Sequence, residues 1–179
     1  MMNQVKLEMQ THLDKITDKI SDDFLKEIKE DSSKIDFEII EKKLKAKYMQ
    51  EGHSAMILDG RKGIRIIVDH GENEEQSEIN CKTEIKIFEK CGMKVTEHTI
   101  GKKVYSYVIQ PEKEFYQELE KIPDSKWTEM SVTRTISQDI LGEIEKTATN
   151  IGFTLEEILQ LMAENTYITD LRSKMHQGL

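Results

Sequence analysis

The sequence predicts an α+β protein: a long N-terminal helix and a small, mostly antiparallel sheet with helices, followed by a C-terminal strand-helix-helix module. Three observations carry that expectation. Apolar residues recur every three or four positions over the first 28 residues, two pairs of β-rich runs are joined by glycine-containing turns, and an alternating run at 131–136 precedes two helical patterns separated at Gly152. The expected units are residues 1–122 as an α+β domain, 123–129 as a linker and 130–179 as the C-terminal module.

The first helix follows from Val5, Met9, Leu13, Ile16, Ile20, Phe24 and Ile28, which form one narrow stripe on an otherwise charged helix. So narrow a stripe is coiled-coil-like and suits pairing with another helix, from this chain, a second subunit or a protein partner. Asp31, Ser32 and Ser33 break it, and Asp36 is placed to cap a second helix bearing Phe37, Ile40, Leu44 and Tyr48 and ended by Gly52. Residues 54–59 and 64–69 read as a hairpin turning through Gly60, Arg61, Lys62 and Gly63. An acidic loop over 70–75 leads to a helix marked by Cys81, Ile85 and Phe88 and stopped by Gly92. Residues 93–99 and 103–110 read as a second hairpin, and Pro111 opens a short helix with Phe115, Leu119 and Ile122. Helices on one face of this sheet would complete the first domain.

In the C-terminal module Val132, Arg134 and Ile136 alternate with Ser131, Thr133 and Thr135, the period of a strand. Ser137 precedes a helix with Ile140, Leu141, Ile144, Ala148 and Ile151 on one face, and Gly152 supplies its left-handed C-cap. Thr154 and Glu157 form a capping box for the next helix, with Phe153 placed to staple onto Ile158. One short strand cannot stand alone, and its simplest partner is the same strand of a second copy.

The run SVTRTISQDILGEIEKTATNIGFTLEEILQLMAEN resembles the ribbon-helix-helix superfamily of Arc- and MetJ-type repressors over about residues 130–166. The resemblance implies a homodimeric, cytoplasmic DNA-binding transcription regulator. Ser131, Thr133 and Thr135 would enter the major groove and the amides around Thr154 would hold phosphate. Val132, Ile136, Ile140, Ile144 and Ile158 would build the dimer. The same residues also fit a helix-turn-helix, which explains Gly152 but not the alternating strand, or a plain helical hairpin completing the core.

Charge supports a different class of function. The net charge is −8, and residues 111–179 hold 7 Lys and Arg against 13 Asp and Glu. Glu156 and Glu157 sit where a phosphate would approach the second helix, and carboxylates there repel it. The alternative expectation is therefore an acidic protein-protein interaction or inhibitor protein, of phage type, that uses the module only to dimerise.

No catalytic, cofactor or metal assignment is expected. Asp59, Asp69, His70, Glu72 and Glu74 lack ligand spacing and read as an acidic turn; His12, His53, His98 and His176 accompany no recognisable nucleophile. Arg61, Lys62 and Arg65 on the first hairpin and Lys102 and Lys103 on the second could touch phosphate or an acidic protein, but read first as charges protecting sheet edges. Trp127 and Met130 are expected to pack the ribbon on the first domain. Cys81 and Cys91 form no Cys-x-x-Cys pair, and no signal-like or membrane-spanning run is present, so a reducing, intracellular setting is expected, with a composition that suits an AT-rich bacterium or its phage.

Overall fold

The computed structural model describes residues 2–129 and 137–178. In chain order these form α1 (Met2–Asp31), α2 (Phe37–Glu51), β1 (Ser54–Gly60), β2 (Gly63–Asp69), α3 (Glu74–Lys90), β3 (Lys94–Ile100), β4 (Val104–Gln110), α4 (Lys113–Glu120), α5 (Asp124–Glu129), α6 (Gln138–Asn150) and α7 (Leu155–His176). The class is mixed α and β, with one four-stranded sheet of order β1-β2-β4-β3 in which every neighbouring pair is antiparallel.

The expected hairpins form, and their turns explain their registers. Gly60 pairs with Gly63 around the two-residue turn Arg61-Lys62. Gly63 has φ of +139°, and a Cβ there would lie 2.6 Å from the carbonyl oxygen of Ile109 on β4, so only glycine fits. The second hairpin pairs Ile100 with Tyr105 and carries an irregularity between Val95 and Glu97. The central strands β2 and β4 then pair, with Ile66 opposite Tyr107.

Alternation along β2 and β4 divides the core into two layers. Ile64, Ile66 and Val68 join Tyr105, Tyr107 and Ile109 beneath Ile40, Leu44, Cys81, Ile87 and Phe88 of α2 and α3. The opposite face presents Ile67 and Val104 to Ile144, Ala148 and Ile151 of α6 and to Ile158 of α7. Helices thus cover both faces, where residues 1–122 alone had suggested one. The C-terminal helices supply the second layer.

Helix α7 extends well past residue 166 and also covers the outer edge of β1. The Asp59 amide donates to Asn165 Oδ1 at 2.7 Å, and the Arg61 amide donates to Glu164 Oε2 at 3.3 Å. These side chains replace the strand an open edge would otherwise recruit. Further along α7, Arg172 donates to Asp59 and Glu112, and its guanidinium lies 3.9 Å from the Phe115 ring centre. Residues 123–129, expected as a linker, include α5, whose Trp127 is buried and meets Tyr167 of α7 edge-on.

The acidic stretch before α3 is partly helix. Asn73 caps α3 by accepting from the Gln76 amide, and Glu74 and Glu75 occupy the first turn, where carboxylates are favourable. Among the described residues, no helix is long and apolar enough to cross a membrane.

Candidate interaction surface

Helix α1 presents two faces of opposite character. Thr17, Ser21, Leu25 and Ile28 are buried and form the face turned toward the rest of the chain. Thr17 and Ser21 return their hydroxyls to carbonyls one turn earlier in α1, at Leu13, Asp14 and Asp18. This flat surface admits two lysines from α3. Lys90 donates to Ser21 Oγ at 2.7 Å and pairs with Asp22 at 2.9 Å; Lys86 donates to the Asp14 carbonyl and pairs with Asp18 at 3.3 Å.

The apolar stripe expected from Val5 onward lies about a quarter turn away, at 100° per residue. Only its far end, Ile28, is buried; Phe24 is half-buried beneath Lys43 of α2. Leu13 and Ile16 are half-buried, while Val5 and Met9 are 52% and 68% exposed and Met2 and Ile20 are exposed as well. The result is an apolar ridge on a helix anchored over its other half. Lone exposed apolar residues are ordinary on a protein surface, but a contiguous row of them marks a contact surface.

The C-terminal residues expected to act together lie apart in role. Thr154 accepts from the Glu157 amide at 3.1 Å, and Glu157 Oε2 accepts from the Thr154 amide at 2.7 Å, a complete capping box after Gly152 at φ of +77°. The Thr154 amide expected to hold phosphate is therefore already engaged by a carboxylate of the chain. Ile144 and Ile158, expected at a dimer contact, are buried against Ile67 and Val104 of the same chain, whereas Ile140 is 55% exposed. Ser131, Val132, Thr133, Thr135 and Ile136 lie outside the described residues, as do Met130 and Arg134.

A cleft of about 850 Å³ opens between the β1-β2 turn and the α6-α7 turn. It contains Arg61, Lys62 and Arg65, yet both arginines are engaged within the chain. Arg61 meets Asp124 at 2.9 Å, and Arg65 meets Glu97 at 2.7 Å while lying over the Phe153 ring at 4.8 Å. Arg65 is buried, not an edge charge, and burial lowers its guanidinium pKa. Glu97, Asp124, Glu156, Glu157 and Glu164 outnumber the three cations, so the cleft is a poor match for a polyanion.

The most perturbed carboxyl is one that the sequence reading passed over. Glu84 of α3 is 1% exposed and accepts from the hydroxyls of Tyr48 and Tyr105. Burial pushes its carboxyl up to about 7, against the opposing pull of the Tyr105 hydroxyl and Lys47. Beyond it, His70 Nε2 lies 2.6 Å from Ser77 Oγ, and burial lowers the His70 pKa. The signal was present in the spacing: Ser77, Cys81, Glu84 and Phe88 follow one another at four, three and four, setting an acid on the apolar face of α3. No substrate could reach so enclosed a group in this conformation; its consequence is for stability.

Asp59, from the acidic set, is held by Arg172 at 2.8 Å and by the Tyr116 hydroxyl at 2.8 Å. Among the described residues, no group of three or more His, Cys, Asp or Glu side chains is placed to hold a metal ion. Comparison with models of protein families, with curated proteins and with solved structures found no match to this chain.

Proposed function

We propose that this chain is an interaction protein that engages another helix through the apolar ridge of α1. The observation that carries the reading is where exposed apolar surface accumulates. Of the eight large hydrophobic residues exposed among the described ones, four lie on that ridge, Met2, Val5, Met9 and Ile20; a fifth, Leu7, is on the other side of α1. The overall charge of −8 and the carboxylates in the cleft favour a protein partner over nucleic acid, whose binding rests largely on phosphate neutralisation. A photo-crosslinking residue at Met9 of the full chain tests this in cells. Adducts with protein are expected; their absence would refute the reading.

One observation favours DNA reading as a second function: Gly152 and the Thr154 cap join α6 to α7 in the order that the ribbon-helix-helix resemblance implies. In that case the paired 131–136 segments would contact bases. Glu156→Lys would then strengthen retention of genomic fragments in a salt-dependent manner. Mobility-shift experiments at low salt that retain no fragment exclude this second reading and leave the first intact.

A further inference from the structure

We infer that the α1 ridge seats against the same ridge of a second copy, with the two helices antiparallel across a two-fold axis. The inference rests on the proposed use of α1 as a docking helix and specifies its occupant. Met2, Val5, Met9, Leu13, Ile16 and Ile20 are spaced three, four, four, three and four residues apart, a mean of 3.6. The ridge therefore runs straight along the helix, over roughly 27 Å at 1.5 Å per residue. It stops where α2 begins to cover α1, since Lys43 bonds Glu27 at 2.6 Å and lies over the Phe24 ring at 5.4 Å. The open length is thus residues 2–20.

Self-complementarity selects both the occupant and the orientation. An isologous contact presents one patch twice, with residue i meeting j and j meeting i. Laid antiparallel, Val5 meets Ile20 of the other copy, Met9 meets Ile16 of the other copy, and Leu13 meets itself near the axis. These three layers join apolar residues, while Met2 falls opposite residues 23 and 24 of the other copy, beyond the paired stretch. The flank supplies charge complementarity. Glu8 and Lys19 lie along one side of the ridge, and the antiparallel alignment sets Lys19 beside Glu8 of the other copy twice over. Asp14, Asp18 and Asp22 are on the opposite side, already engaged by Lys86 and Lys90. An antiparallel pairing also carries the two folded bodies to opposite ends of the helix pair, where a parallel one would crowd them together.

The size of the contact sets its strength. A strip about 27 Å long and about 10 Å wide is well below the roughly 800 Å² per partner of a standard stable interface. The dimer should therefore be concentration-dependent, forming in the micromolar range rather than the nanomolar.

Cysteine trapping in the full chain tests occupant and direction together. In a Cys91→Ser background, with Cys81 fully buried, Leu13→Cys should oxidise to a covalent dimer. Val5→Cys should not pair with itself but should form a mixed disulfide with Ile20→Cys. Sedimentation equilibrium should show a monomer-dimer equilibrium for the unmodified protein, lost in Met9→Glu with its far-UV circular dichroism unchanged. A protein monomeric at about 100 µM, far above the expected range, overturns the inference. A Val5→Cys homodimer without any Val5-Ile20 product overturns the antiparallel arrangement. If the protein is monomeric while the Met9 photo-crosslinker still captures a different protein, the second copy is excluded and the docking function stands; absence of any adduct removes both.

Discussion

Replacing Glu84 by glutamine should stabilise the protein at neutral and alkaline pH, by an amount that follows from its burial. The carboxyl is raised from its ordinary 4.5 to about 7 in the folded chain. Below the lower value it is protonated whether the chain is folded or not, so this group contributes no pH dependence. Between the two values the folded state retains a proton that the unfolded state has released, and stability falls as pH rises. At about 1.4 kcal/mol per unit over roughly 2.5 units, the loss is a little over 3 kcal/mol and is complete above about pH 7. The amide carries no such loss. Tyr48 and Tyr105 donate to different oxygens of the carboxyl, so the amide oxygen can accept from one of them while the NH2 group donates to the other, whose hydroxyl turns to accept. Urea midpoints for both proteins, from about pH 4 to pH 8, give the measurement. The expected result is near-equality at the acid end and a widening advantage for Glu84→Gln through about pH 7. The comparison cancels the titration of other acidic groups. An advantage independent of pH would refute the argument, because polarity rather than ionisation would then set the cost.

Three other substitutions test the packing around this core. Gly63→Ala forces a side chain into a positive-φ position 2.6 Å from the Ile109 carbonyl oxygen and should cost about 3 kcal/mol, measured by thermal unfolding. Thr154→Ala removes the side-chain cap of α7 and should cost about 1 kcal/mol, with faster amide exchange confined to the first turn of that helix. Arg172→Met leaves Asp59 half-paired in a site where burial already raises its pKa, and should cost about 2 kcal/mol; adding Asp59→Asn should recover part of the loss, a coupling that denaturant titration of the four proteins resolves.

The elements most legible in the sequence are those governed by short-range chemistry. The Arg61-Lys62 turn is set by its flanking glycines, and the start of α7 by Thr154 and Glu157; both are local choices that a few residues determine. The coverage of the sheet is not local. Its clue is the unbroken run Ile64, Arg65, Ile66, Ile67 and Val68, every member buried, which is the pattern of a strand covered on both faces and not of a half-solvated one. Arg65 within that run could be read as an edge charge only without knowing that Glu97, Ser106 and Phe153 would surround it. The tail of α7 was equally hidden. Ile168 and Arg172 gain their meaning from Trp127, Tyr116 and Asp59, which are distant in sequence.

Helix α1 poses the sharpest contrast between pattern and packing, because its hydrophobic stripe and its buried face differ. An amphipathic helix that serves only its own core turns its large apolar residues inward. Here the inward face around the middle of α1 carries Thr17 and Ser21, while Val5, Met9 and Ile20 face outward. Burying a valine, isoleucine or methionine fully is worth about 1.5 to 3 kcal/mol relative to exposure, so the chain leaves several such contributions unused in isolation. The inner face is nonetheless fully specified, since Lys86 and Lys90 reach the α1 carbonyls, Ser21 and three aspartates that small side chains leave accessible. A register rotated by a quarter turn would bury the ridge but break that lysine-aspartate seam, leaving Lys86 and Lys90 against apolar surface. The polar seam, together with the buried Leu25 and Ile28, thus goes with the rotation of α1 that leaves the ridge turned outward.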